Sequence, residues 1–201
     1  MLAGSATSTA SRSPPSAGAA AGTGRPRDDP RRFLARLYEL GIAGHYDAVV
    51  HHPYTWSNPD RAVDQADNWT LMFRDATIDS PGGPILAKSL RRQMVEHGDG
   101  AKPIWQTEFG APSPITLTSG AVIDEAKHAA LLTEAMDLWK TYPWAGVFIA
   151  FTYKDFDSSG AARGDHMGLI RSTAGTPGCD ASNRPTGTAK KAYCAFRAYV
   201  R

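Results

Sequence analysis

Three short, largely apolar stretches of the chain end in residues able to do chemistry. Pro103–Thr107 (PIWQT) runs into Glu108-Phe109-Gly110. Tyr46–His52 (YDAVVHH) runs into Pro53-Tyr54-Thr55-Trp56, and Gly146–Phe151 (GVFIAF) into Thr152-Tyr153-Lys154-Asp155. In parallel α/β folds the reactive groups collect at the C-terminal ends of strands. If these stretches are neighbouring strands, one carboxylate, imidazoles and several aromatic rings meet at one rim. Aromatic faces stack on the C–H faces of pyranose rings, and carboxylates and imidazoles bond hydroxyls, so the set suits a sugar. No Gly-x-Gly-x-x-Gly turn follows a strand and no Gly-x-Ser-x-Gly elbow occurs, which removes the dinucleotide signature and the α/β-hydrolase nucleophile.

The elements around these stretches alternate. Asp29-Pro30 reads as an N-cap with proline at the first helical position. Phe33, Leu34, Leu37, Tyr38 and Leu40 follow at helical spacing, and Gly41 closes the helix. A loop after the first strand holds a short helical stretch near Trp69–Arg74. Ile85–His97 reads as a helix with Ile85, Leu86, Leu90 and Met94 on one side, ended by Gly98 and Gly100. Asp124 caps a helix to about Lys140 with Leu131, Leu132, Ala135, Leu138 and Trp139 facing inward. A short hairpin around Met167–Arg171 and a last helix over Pro185–Tyr199 complete the order α-β-α-β-α-β-α. That alternation implies βαβ units and a parallel sheet covered by helices.

The strand-end motifs resemble the last three βα units of the clan of retaining (β/α)₈-barrel glycosidases that includes cellulases, mannanases and β-xylosidases. His52-Pro53-Tyr54 matches that clan's His-x-Tyr at the end of strand six. Pro103–Gly110 matches its Pro-(Ile/Val)-x-x-Thr-Glu-x-Gly at strand seven. Phe151–Phe156 matches the aromatic run ending strand eight, and Gly168-Leu169 a closing Gly-Leu. The resemblance covers residues 30–201 and implies a partial TIM barrel, strands six to eight with flanking helices. It also implies retaining hydrolysis of a β-linked polysaccharide or oligosaccharide, with no cofactor and no metal, by a secreted protein. It makes Glu108 the nucleophile and Tyr54 its hydrogen-bond donor, with His52 facing the barrel mouth. Trp56, Phe151, Tyr153 and Gln106 become substrate contacts. Gln106 shares strand parity with Glu108 and is expected to point inward, and His51, of opposite parity, towards the helices. Phe151 stands where the clan often has a stacking Trp.

Each reading has a structural rival. Glu108 could be a strand-end carboxylate in an ion pair, and His52 and Tyr54 a capped strand end with a core-packed ring. Trp56 and Tyr153 could simply pack the rim. Trp105 and Trp139 read as core, and Asp155 and Asp157 as solvated turn acids. The spacing of Cys179 and Cys194 fits no zinc or redox motif; a disulfide in an oxidising compartment and two buried thiols both fit.

A chain of 201 residues suffices for one domain with a core but not for two. A net charge of +2 gives no electrostatic case for nucleic acid or anionic lipid. No apolar run approaches the ~20 residues that span a bilayer. Residues 1–29, rich in Ala, Ser, Gly and Pro, are expected to be disordered and lack the apolar stretch of roughly 7–15 residues of a signal peptide. They read as a linker or tail, or as a start placed inside a longer gene or after a frameshift. A full barrel needs ~250 residues and eight strands, and three strands are legible. The clan's acid/base Glu follows an Asn, and no Asn-Glu pair occurs in this chain. The expectation is therefore a nucleophile-bearing fragment with exposed sheet edges prone to association. The alternatives are a non-catalytic carbohydrate-binding pseudoenzyme and a fragment that needs a complementing chain.

Overall fold

The computed structural model describes residues 29–54, 82–117 and 120–200. The expected disorder of the N-terminal segment, the Trp69–Arg74 helix and the site residue Trp56 lie outside the described residues. Three strands, β1 (Val49–His51), β2 (Ile104–Phe109) and β5 (Ala145–Ala150), form one parallel sheet in the order β1-β2-β5. Helices α1 (Pro30–Glu39), α2 (Leu90–Glu96), α3 (Glu125–Lys140) and α4 (Lys191–Tyr199) accompany it. Two small antiparallel ladders complete the fold: β3 (Ile115–Thr116) with β4 (Val122–Ile123), and β6 (Pro177–Cys179) with β7 (Pro185–Gly187). Among the described residues no helix is long and apolar enough to cross a membrane.

The helix starts follow local chemistry. The Asp29 carboxylate accepts from the Arg31 backbone N–H at 2.9 Å and also holds the Arg31 guanidinium, with Pro30 opening α1. Asp124 caps α3 through the Lys127 N–H at 2.7 Å. On α1, Leu34 and Tyr38 face the core, whereas Phe33 and Leu40 are exposed, so the apolar stripe is narrower than the sequence suggests. The single helix expected over Ile85–His97 is two elements. A 3₁₀ turn at Ile85–Ala87 gives way to extended Lys88, and Ser89 caps α2 by accepting from the Arg92 N–H at 2.9 Å. The helix expected from Pro185 begins only at Lys191, because Pro185–Gly187 pairs with Pro177–Cys179 as a hairpin. No hairpin forms at Met167–Arg171; Ile170 instead bridges Lys154 on one side and Ala189 on the other.

The core fills one face of the sheet. Ile104 and Phe109 of β2 pack with Leu132, Ala135, Met136 and Trp139 of α3 and with Ala192 of α4, and Phe148 of β5 rests edge-on against Phe109 and Trp139. Strand alternation sends Val50, Trp105, Val147 and Ile149 to the other face, where they are 53%, 38%, 43% and 46% exposed. Trp105 is therefore not a core residue. Its indole lies across Gly146, where a Cβ would meet Trp105 Cδ1 at 2.3 Å.

A buried ion pair and a disulfide fix the C-terminal part. The Lys190 ammonium donates to the Asp155 carboxylate at 2.7 Å and to the carbonyls of Ser113 at 2.6 Å and His166 at 3.1 Å. Asp155 also accepts from the Gly168 N–H and the Ser158 hydroxyl, both at 2.8 Å. Asp155 is thus no solvated turn acid: it is 4% exposed and neutralises a lysine that is itself fully buried. Breaking such a pair typically costs 3–5 kcal/mol because one charge is left in the interior. Cys179 and Cys194 form a disulfide that ties the β6–β7 hairpin to α4. With a sequence separation of 15, closing this loop restricts the unfolded chain by about 3 kcal/mol. The double variant Cys179→Ser/Cys194→Ser should lose about 2–4 kcal/mol in urea denaturation. A midpoint unchanged from the parent chain would show that the bridge contributes nothing to folding.

Candidate active site

The carboxylate of Glu108 owes its direction to an irregularity in β2. From Gln106 to Phe109 this strand advances three residues while β5 advances two, Phe148 to Ala150. An extra residue of this kind bends the strand and re-aims a side chain. Gln106 pairs with His51 and Phe148 and is fully buried on the helix-covered face. Phe109, three positions on, returns to that same face and is also fully buried. Glu108 is left at the open rim, 23% exposed. The expectation that Gln106 points inward beneath Glu108 is therefore overturned. Parity counting assumes a period of two, and the bulge breaks it between these residues. His51 lies on the helix side as its parity requires.

Three groups converge at the rim. The Tyr54 hydroxyl donates to Glu108 Oε2 at 2.9 Å. His52 Nδ1 lies 3.4 Å from the same oxygen, and its Nε2 is 2.9 Å from the Thr107 hydroxyl. Thr107 thus orients the imidazole, a role that spacing alone does not reveal. Burial, then the nearby Glu108 charge and the bond to it, push the Tyr54 pKa far above its ordinary value. The phenol therefore remains a donor over the whole working pH range.

Phe151 joins the group from the end of β5. Its N–H donates to the Phe109 carbonyl at 2.8 Å, and its ring meets Tyr54 edge-on with centroids 6.3 Å apart. Gly110 makes this approach possible, since a Cβ there would lie 2.1 Å from the Phe151 carbonyl oxygen. Tyr153 is exposed and joins no ring contact among the described residues. Below the β2 loop, fully buried His128 of α3 shares a hydrogen bond of 2.9 Å with the Ser113 hydroxyl. Among the described residues no group of three or more His, Cys, Asp or Glu could hold a metal ion.

No protein-family model matches the chain, and no curated protein is significantly similar to it. Among solved structures it is similar to β-glucuronidase from Ruminococcus gnavus. One structure, in complex with C6-substituted uronic isofagomine, is 16% identical at a TM-score of 0.36, covering 75% of this chain and 22% of that one. A second is 15% identical at a TM-score of 0.37, covering 77% and 22%. The chain thus spans about a fifth of the length of these proteins. Superpositions this loose carry no argument about activity or substrate.

Two buried imidazoles near the site set a pH dependence. Burial, helped by the Lys190 charge, lowers the His128 pKa to about 3. Burial, helped by His52, lowers that of His51 to about 4. Both fall below the ordinary value of 6.5, so between these limits the unfolded chain binds more protons than the folded one. Stability is then complete above about pH 6.5 and declines as the pH drops, by about 1.4 kcal/mol per pH unit for each histidine. Denaturation between pH 6.5 and 5 should reveal that slope, and His128→Gln should remove about half of it. A slope indifferent to that substitution would rule out a buried neutral His128.

Proposed function

We propose that this chain is the nucleophile-bearing part of a retaining β-glycosidase of the (β/α)₈-barrel type. The observation that carries the reading is the Tyr54 bond of 2.9 Å to Glu108, at a rim where β1, β2 and β5 end side by side. The strand-end motifs His52-Pro53-Tyr54 and Thr107-Glu108 support it. In the first step a Glu108 oxygen bonds to the anomeric carbon as the glycosidic C–O bond breaks, and the leaving oxygen keeps both bonding electrons. In the second, water adds to that carbon, the ester bond to Glu108 breaks, and a base takes the proton. Tyr54 and His52 orient Glu108 for the attack, Thr107 orients His52, and Phe151 and Tyr153 offer faces to the sugar. Trp56, two residues after Tyr54 in sequence, is assigned the same role.

The partner carboxyl is assigned to no residue of this chain, because no Asn-Glu pair occurs. Without general acid catalysis, worth about 10²–10⁴-fold, natural leaving groups depart too slowly for useful turnover. Among the described residues no strand pairs with the outer edges of β1 and β5, which favours a second reading, in which further βα units come from a separate chain and associate through those edges. Turnover that appears only on co-expression with a segment carrying an Asn-Glu strand end would favour it. Unaided full turnover would count against it.

A dinitrophenolate leaves without protonation, which isolates the first step. The full chain incubated with dinitrophenyl 2-deoxy-2-fluoro-β-glycosides of glucose, mannose and xylose should carry a glycosyl adduct on Glu108 by peptide mass spectrometry. Glu108→Gln should carry none, and Tyr54→Phe should label about 10–100-fold more slowly for loss of a bond to a charged group. Ordinary aryl β-glycosides should show no more than trace turnover. An adduct on another residue, or none with any of the three sugars, would overturn the assignment. Rapid aryl-glycoside turnover lost in Glu108→Gln would overturn the account of the missing acid.

A further inference from the structure

A cavity of about 420 Å³ lies on the helix side of the sheet, between α3, α4 and β5. Its walls are Met136 and Trp139 of α3, Phe148 of β5, and Phe196 and Tyr199 of α4. All five belong to the main core or pack against it. The other two lining residues, Lys140 and Val200, are exposed and stand where the cavity meets solvent. Lys140 is the last residue of α3, and Val200 follows the last residue of α4. Helices of a parallel α/β unit run back from strand ends to strand starts, so the cavity opens away from the rim that carries Glu108.

The polar atoms of the walls are used elsewhere. Trp139 donates its indole N–H to the Gly146 carbonyl at 3.1 Å, and the Tyr199 hydroxyl donates to Asp137 at 2.6 Å. Water inside would find few partners, whereas a hydrocarbon would find aromatic and thioether surface. Lys140 is the one charged residue of the lining. Its ammonium lies 3.9 Å from the centroid of the Tyr199 ring and makes no ion pair or hydrogen bond among the described residues. The helix end does not claim it either. The Leu138 carbonyl accepts from the Thr141 hydroxyl at 2.7 Å, and the Trp139 carbonyl from the Tyr142 N–H at 3.2 Å. An apolar cavity therefore ends in a cation that has a ring beside it and no anion.

We propose that this cavity binds a free medium-chain monocarboxylate, with the hydrocarbon between α3 and α4 over Phe148 and the carboxylate at Lys140. The site is separate from Glu108 and does not rest on the glycosidase reading. Its volume is that of a pocket for one small molecule. Burial of the chain supplies most of the affinity, and it restores contacts that the walls of an empty cavity lack. The ammonium then selects among head groups by charge.

The test is calorimetric titration of the full chain with hexanoate, octanoate and decanoate, and with octanol and octyltrimethylammonium as uncharged and cationic counterparts. Affinity should rise about threefold with each added methylene. Octanoate should bind about fivefold more tightly than octanol, and octyltrimethylammonium most weakly. Lys140→Met should make octanoate and octanol equal while octanol still binds. Val200→Trp, which fills the mouth, should weaken every ligand about tenfold or more. Both positions are exposed, so neither variant disturbs the core. No octanoate binding by the parent chain, or a preference for octanoate that survives Lys140→Met, would overturn the proposal. Binding lost in Ile149→Thr but intact in Val200→Trp would place the ligand on the open sheet face and overturn it as well. Self-association that Val200→Trp abolishes, without octanoate binding, would give the cavity to a second copy instead.

Discussion

One additional residue in β2, set against β5 between Gln106 and Phe109, lets a single strand serve two opposed demands. Phe109 has to return to the helix-covered face to complete the core with Phe148 and Trp139. Glu108 has to leave that face, because an ionised carboxylate there would lie among apolar side chains with no counter-charge. A strictly alternating strand cannot do both, since Gln106, Glu108 and any later even position would share one side. The bulge resolves the conflict, and the hydrogen bond from Tyr54 then meets the carboxylate at the rim. Glu108 is therefore both a consequence of core packing and the centre of the candidate site.

The region behind the rim is organised to hold this arrangement. Gly110 allows the segment after β5 to close against β2, which brings Phe151 to Tyr54. Lys190, at the start of α4, gathers the carbonyls of Ser113 and His166 and the carboxylate of Asp155, so the loops after β2 and β5 share one anchor. A buried charge pair of this type is weak evidence for stability in itself. Its three accepting partners come from segments distant in sequence, and its effect is to fix which loop lies against which.

What could be read from the sequence was what local chemistry decides. The Asp29-Pro30 and Asp124 caps and the closing Gly41 involve partners within a few residues, and they mark α1 and α3 correctly. The three parallel strands and the meeting of Tyr54, His52 and Glu108 followed from alternation and motif placement. Readings failed where a distant partner or a broken period decided the outcome. Parity put Gln106 beside Glu108 because a bulge leaves no mark in composition. Asp155 looked like a turn acid because its lysine lies 35 residues away. Trp105 looked like core because strand polarity does not tell whether a second layer covers the sheet. Ser89 could have revealed the break before α2, since a serine three residues before Arg92 is an ordinary helix cap. Pro185 was read as a helix start, although Pro and Gly within three residues suit a short edge strand as well.

Val50, Trp105, Val147 and Ile149 present water with a connected oily surface, and its behaviour follows from how apolar hydration depends on conditions. Contact between two such surfaces gains strength on warming and in sulfate or phosphate, and loses it on cooling. A cold buffer of low ionic strength without those anions is thus where this chain stays most dispersed. Salting it out with ammonium sulfate, a routine concentration step, is where it would first precipitate.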